Sequence, residues 1–294
     1  MKLTILGSGS PEPTPRRASS GYLVEIGADR ILFDCGGGVV GNLIRSGRLP
    51  QDITHLVFSH LHSDHMMDYA RLVHAAWDAG ALPLKVFGPA PIAEVTRRLF
   101  GPEGAFAFDL HARTDLKPSQ EVWLARGGTL PRPWPRPEIV EIAAGDCIEG
   151  EGWRIESCTV PHAQPILDCF GFALRSGGRN GGRNGEHSGG RSFVYSGDAG
   201  LCAPLRALAQ DADLLLHWCY RLDGEAAPAG MASVTPTPSE IAAMAAEIGV
   251  KRLMLTHFRA HMDSDANIAA ALAAMRADFD GPVSVAEDLE SHTI

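Results

Sequence analysis

Within six residues, His60-Leu61-His62-Ser63-Asp64-His65, the chain places four side chains that bind divalent cations: three imidazoles and a carboxylate. Their spacing suits neither regular element. Helical steps of about 100° scatter positions 60, 62, 64 and 65 over more than one face, and on a strand 65 points away from the other three. A loop that leaves a strand and enters a helix can aim all four at two adjacent points. Four ligands from one segment also exceed what one catalytic ion with an open position takes, so the cluster predicts two metals rather than one.

More ligands are expected elsewhere, and the candidates share a pattern: each closes an apolar run. They are His162 after Cys158-Thr159-Val160-Pro161, Asp198 after Phe193-Val194-Tyr195-Ser196-Gly197, and His257 after Leu253-Met254-Leu255-Thr256. Leu214-Leu215-Leu216-His217 is a fourth. Polar groups at the carboxyl ends of strands are where α/β proteins build their sites. A lone histidine after a strand is more often a satisfied structural residue. A dense cluster followed by three such partners is a different matter.

The elements that must position these groups read as follows. Strand-like runs fall at 2–7, 21–26, 30–34, 53–58, 84–87, 139–142, 153–160, 169–175, 192–196, 212–217, 252–256 and 283–286. Helical patterns fall at 65–79, 91–99, 201–210, 238–248 and 264–277. Thr237-Pro238-Ser239-Glu240 is a helix start with proline in the first turn, and Asp263 or Ser264 suits the cap of the last helix. Many strands with interspersed helices predict packed sheets with helices outside. Residues 125–138 are proline-rich and expected to be extended. Residues 176–190 are glycine-rich and read as a mobile hairpin tip carrying Arg179 and Arg183. Each is a connecting loop, with a pocket lid or a dimer contact as the sharper alternative.

The 294 residues are 45% hydrophobic and 21% charged, enough for a large core in one unit spanning 1–294. The net charge of -9 argues against a dedicated nucleic-acid binder. No apolar run approaches the roughly 18 residues of a membrane span. The six cysteines form no C-x-x-C and read as reduced thiols of a cytoplasmic protein.

H-x-H-x-D-H followed by His162, Asp198 and His257 resembles the metallo-β-lactamase superfamily. Thr4-Ile5-Leu6-Gly7-Ser8-Gly9-Ser10, Leu32-Phe33-Asp34-Cys35-Gly36, Phe87-Gly88-Pro89 and Leu255-Thr256-His257-Phe258 are similar to its ribonuclease Z and arylsulfatase-like branch. The resemblance implies an α/β fold, the four-layer αββα sandwich, with two zinc ions (manganese or iron as alternatives). It implies one metal on His60, His62 and His162, the other on Asp64, His65 and His257, with Asp198 bridging and Asp34 orienting a ligand histidine.

Such a pair activates a bridging hydroxide for hydrolysis, with Asp64 also able to accept the proton of the nucleophile. His217 is the candidate to serve the leaving group. In ribonuclease Z the corresponding histidine opens a His-Glu-Ala-Thr motif; here His217-Trp218-Cys219-Tyr220 lacks the glutamate. The ribonuclease segment Pro-x-Lys-x-x-Arg-Asn is also replaced, by Pro13-Thr14-Pro15-Arg16-Arg17-Ala18-Ser19. The expected substrate is therefore a small molecule: a phosphodiester, sulfate ester, lactone or activated aromatic. A tRNA 3′-end endonuclease is the first alternative and a mononuclear iron persulfide dioxygenase the second. Met67, Trp218, Tyr220 and Phe258 are candidate pocket residues, Arg221 and Arg259 candidate anion binders. His261 is a lesser candidate for the site, and a homodimer is expected.

Overall fold

Both sheets of this protein are hydrophobic on both faces, and that follows from the strand sequences. In Leu3-Thr4-Ile5-Leu6 and Tyr22-Leu23-Val24 alternate apolar side chains point to opposite sides, so each strand needs cover twice. The computed structural model describes residues 1–81, 83–177, 190–227 and 229–294. The first sheet holds β1 (Lys2–Gly7), β2 (Gly21–Ile26), β3 (Asp29–Phe33), β4 (His55–Val57), β5 (Lys85–Gly88) and β6 (Glu138–Glu141). The second holds β7 (Cys147–Gly150), β8 (Trp153–Thr159), β9 (Phe170–Ser176), β10 (Ser192–Tyr195), β11 (Leu214–Trp218), β12 (Leu253–Thr256) and β13 (Val283–Val285). A last strand, β14 (Ser291–Thr293), returns to the edge of the first sheet beside β1.

The orders are β14-β1-β2-β3-β4-β5-β6 and β13-β12-β11-β10-β9-β8-β7. In each sheet one half is antiparallel and the other parallel. Between the sheets lie Leu3, Ile5, Tyr22, Val24, Phe33, Phe172, Phe193, Tyr195, Leu216 and Met254, all buried. Outside the first sheet pack α1 (Val39–Arg45), the short α2 (Ser63–Met66), α3 (Tyr69–Asp78), α4 (Ile92–Phe100) and α5 (Ala107–Thr114), and α6 (Lys117–Ala125) lies against α5. Outside the second pack α7 (Ala203–Leu208), α8 (Pro238–Glu247) and α9 (Asp265–Asp278). The expected αββα arrangement is thus present.

The start of α8 is a capping box: Thr237 Oγ1 accepts from Glu240 N and Glu240 Oε2 accepts from Thr237 N at 2.8 Å. For α9 the cap is Ser264, whose hydroxyl accepts from Asn267 N at 3.2 Å, and not Asp263. The single helix expected at 65–79 is two. Asp68 separates them because its carboxylate accepts from the backbone N–H groups of Gly38 and Val40, at 3.1 and 2.9 Å, and its own N–H is drawn to Cys35 O. The segment 125–138 is irregular up to Glu138, as expected, but it is pinned. The guanidinium of Arg132 lies between the rings of Trp77 and Trp123, at 3.8 and 4.2 Å, and donates to Asp78 at 3.0 Å. The glycine-rich tip, with Arg179 and Arg183, lies outside the described residues over 178–189; its flanks pair antiparallel, Arg175 opposite Ser192.

Candidate metal centre

Strand direction explains why the candidate ligands meet. β3 runs parallel to β4, β10 to β11 and β11 to β12, and β8 is antiparallel to a strand that is itself antiparallel to β10. The carboxyl ends of β3 and β4 therefore share one edge of the first sheet and those of β8, β10, β11 and β12 one edge of the second, and the side-chain distances between residues 60–65 and 162, 198 and 257 show that these two edges meet. Asp34 follows β3, His60 to His65 follow β4, His162 follows β8, Asp198 follows β10 and His257 follows β12. Two of these positions are left-handed for a non-glycine residue, Asp34 at φ 58° and His257 at φ 65°. Such backbone costs on the order of 1–3 kcal/mol and persists only where its surroundings hold it.

At the edge stand two clusters of metal-capable atoms. One is His60, His62 and His162; the other is Asp64, His65, Asp198 and His257; within each, the donor atoms lie within 4.8 Å of one another. In the first cluster His62 Nδ1 is 2.9 Å from His60 Nε2 and 3.2 Å from His162 Nε2. Three ring nitrogens pointed at each other cannot all be satisfied by sharing protons, whereas a cation among them satisfies all three. In the second, His257 Nε2 is 3.1 Å from Asp64 Oδ2 and 3.2 Å from Asp198 Oδ2. His65 Nε2 stands 3.4 Å from both carboxylates, with no hydrogen-bond partner among the described residues. Asp198 also comes within 3.8 Å of His162, so it reaches both clusters. Imidazole and carboxylate donors in this number suit a borderline divalent cation such as zinc.

Asp34 lies behind the clusters, fully buried. Ser59 N donates to its Oδ1 at 2.7 Å, and Ser59 Oγ, Tyr195 Oη and His65 Nδ1 face its Oδ2 at 2.7, 2.8 and 2.9 Å. Since the Ser59 hydroxyl gives its proton to Asp34, its lone pair is left for His60 Nδ1–H, 3.0 Å away. One carboxylate thereby turns the Nε2 lone pairs of both His60 and His65 toward the clusters.

The electrostatics call for positive charge. Burial disfavours the charge on Asp198, yet His257 and His65 outweigh it and hold the carboxyl well below its usual range. Burial likewise works against a charged Asp64, and the hydrogen bonds from His257 and His65 outweigh it, keeping the group ionised. Burial opposes protonation of His65 and His257, but the carboxylates prevail, raising His65 strongly and His257 to about 9. For His257 one contact opposes a second proton: the Trp218 indole N–H donates to its Nδ1 at 3.1 Å.

The remaining candidates are placed as follows. His217 is fully buried; its Nδ1–H donates to Trp218 O at 2.7 Å, its Nε2 has no partner among the described residues, and burial pushes it down to about 4. It is neutral near pH 7 with a lone pair, not a proton, on Nε2, which argues against the leaving-group role. Trp218 lies edge-on to His162 at 5.2 Å. Tyr220 packs on Trp218 and under Arg259. Met67 is 64% exposed beside the cluster. Phe258 is not pocket lining: it is wholly buried, with the Arg17 guanidinium over its ring. Neither arginine is free for an anion. Arg259 is held by Glu12 at 2.9 Å, and Arg221 donates to Thr235 O and Glu225 O. His261 pairs with Glu225. Sequence reasoning missed Ser59 and Tyr195. The first sits directly between a strand and a ligand, and the second is the inward residue of the run leading to Asp198.

A family model described as a β-lactamase superfamily domain matches residues 29–258. Among solved structures, the metallo-β-lactamase fold protein YhfI from Bacillus subtilis superposes with a TM-score of 0.73 at 20% identity, covering 99% of each chain. The short form of human tRNase Z superposes with a TM-score of 0.67 at 20% identity, covering 100% of this chain and 99% of that one. Fold and family together define a metal-dependent hydrolase of the metallo-β-lactamase fold. Ribonuclease Z of Mycobacterium bovis is 30% identical over 270 residues, 88% of this chain and 86% of that one. Ribonuclease Z of Methanosarcina acetivorans is 28% identical over 305 residues, 90% of each. The chain belongs to the metallo-β-lactamase superfamily, in the branch that holds ribonuclease Z. Among the described residues no helix is long and apolar enough to cross a membrane.

Proposed function

We propose that this chain is a two-metal phosphodiesterase acting on RNA, the class of reaction carried by its ribonuclease Z relatives. The observation that carries this reading is the double cluster of ligands on a chain 30% identical to a ribonuclease Z over 88% of its length. This reverses the order expected from sequence, where a small molecule came first. His60, His62 and His162 would hold one cation and Asp64, His65 and His257 the other, with Asp198 between them. Zinc is the metal the donor set favours, and elemental analysis separates it from manganese and iron. When bound, such a pair lowers the pKa of water and stabilises negative charge on a phosphoryl oxygen.

The chain's own part is to orient and to move protons. Asp34 fixes His65 directly and His60 through Ser59. Asp64, turned toward the cluster and ionised, is the acceptor for the nucleophile's proton. His62 and His162 are the less buried ligands, so substrate arrives from their side. The chain acts as one folding unit over 1–294, supported by the Tyr22–Thr256 hydrogen bond that ties one sheet to the other. A homodimer is part of the proposal, supported by exposed Phe108, Leu116, Val122 and Leu124 on and between α5 and α6; light scattering checks it.

A specific observation favours a second reading. Arg221 and Arg259 are both engaged, and the net charge is -9, so the attraction for a phosphate backbone is weaker than a nuclease usually offers. A small phosphodiester needs no such surface. The deciding experiment offers the zinc-loaded chain a precursor tRNA with a 3′ trailer and, in parallel, bis-p-nitrophenyl phosphate. Release of the trailer at low enzyme, lost on chelation and in H60A/H62A, is expected. Turnover of the small diester with no trailer cleavage would move the assignment to the second reading, and activity surviving in the double variant would overturn the metal site.

A further inference from the structure

On the ligand assignment just proposed, the second cation cluster is tuned by the neighbour of His257. An imidazole that binds a cation through Nε2 keeps its proton on Nδ1 and needs an acceptor there. His65 has one, Asp34 Oδ2, and His60 has the Ser59 hydroxyl. His257 does not. The group facing its Nδ1 is the indole N–H of Trp218 at 3.1 Å, and an indole nitrogen can only donate. Turning the imidazole over does not help. It would set carbon atoms opposite Asp64 and Asp198, which now lie 3.1 and 3.2 Å from Nε2.

We propose that Trp218 is a positioning residue that holds His257 in the tautomer with its proton on Nε2, and thereby weakens cation binding at the Asp64–His65–Asp198–His257 cluster. When Nε2 gives its lone pair to a cation, the ring proton must sit on Nδ1, where it meets the indole N–H. One of the two must turn away. Trp218 has little room to do so: it is 1% exposed, packed against His162 and Tyr220, and its backbone N–H is bound to Ser196 Oγ. The cluster built on Asp34 is therefore poised for a cation at His65 and set against one at His257. A loosely held second cation would let activity follow the supply of free metal.

Two measurements on the full-length chain test this. Long-range ¹H–¹⁵N correlation of the histidine-labelled protein before zinc is added, recorded above the raised titration range of about 9 so that the ring is neutral, should show the single proton of His257 on Nε2 and Nδ1 bare. Equilibrium dialysis against zinc buffers should then show that Trp218→Phe, which keeps the ring and removes the N–H, retains the second zinc at about tenfold lower free zinc, the low end of what orienting partners are worth. The first zinc should be unaffected. A neutral His257 with its single proton on Nδ1 in the unsubstituted chain would overturn the proposal without any variant. So would natively folded W218F whose second zinc binds no more tightly than wild type. The ligand assignment fails separately, if His257→Ala leaves zinc binding unchanged.

Discussion

Replacing Asp34 by asparagine changes one atom and should uncouple the site. The Oδ2 position now receives three groups: Ser59 Oγ, His65 Nδ1 and Tyr195 Oη, at 2.7, 2.9 and 2.8 Å. With an amide nitrogen there, both hydroxyls can turn and accept. The imidazole can meet it only by baring Nδ1, which moves its proton to Nε2, the atom that must bind the cation. The opposite amide orientation sets NH₂ against Ser59 N–H, 2.7 Å away, and leaves a buried donor unpaired at about 1–3 kcal/mol. Either way His65 is a poorer ligand. Loss of such an orienting partner lowers metal affinity by about 10–100-fold, equivalent to about 1.4–2.8 kcal/mol. The assay is zinc content after dialysis at a series of buffered free-zinc levels, with a thermal melt to show that the variant folds. Wild-type zinc affinity in folded D34N would refute the reasoning, because the histidine would then be oriented by something other than Asp34.

Two further outcomes are expected. Arg132→Ala should lower stability by about 2–3 kcal/mol, the sum of two desolvated cation–π contacts and a partly buried ion pair, and Arg132→Lys should recover only part of it because a compact ammonium cannot fill a flat slot between two rings; an unchanged melting temperature would refute this. His217 has a folded pKa of about 4, below the roughly 6.5 of an unfolded histidine, so between those values the unfolded chain takes up a proton that the folded one does not and stability falls as pH falls. His217→Asn should therefore flatten the acid limb of the stability curve over that window, by an amount on the order of 3 kcal/mol, and parallel curves for the two proteins would show that the buried ring does not control it.

Much of this architecture was legible because the strands are apolar on both faces. β1 and β2 have the bounds expected of them, and β8 to β12 lie within a residue or two. What escaped is instructive. β7 (Cys-Ile-Glu-Gly) and β14 (Ser-His-Thr) are short edge strands with one buried side chain or none, so they carry no pattern. α1 buries Val39, Val40 and Leu43, but it is only seven residues long, begins with two β-branched residues and contains a glycine, and α6 buries nothing and so shows no core-facing stripe. That these residues would gather at one site was readable because dense histidine spacing has few other uses. The partners of the arginines were not. Arg259 meets Glu12, 247 positions away, and no local rule connects them. The polarity of the Trp218 contact likewise depends on which edge of the indole faces His257, a matter of three-dimensional packing.

The pairing of β1 with β14 bears on how the protein is made. Thr4 Oγ1 bonds to Ser291 Oγ, Ser8 to Asp288 and Arg17 to Glu287, so the loop beside the metal site is tied down by residues translated some 270–290 positions later. A ribosome delivering this chain cannot complete that edge until synthesis has passed residue 293, and β1 waits with an open flank through most of elongation. Contacts so distant along the chain close slowly, because the intervening length must first be gathered. With the last candidate ligand at His257 and the closing strand at Ser291–Thr293, the edge beside the candidate metal site should be completed only once nearly all of the chain has been made.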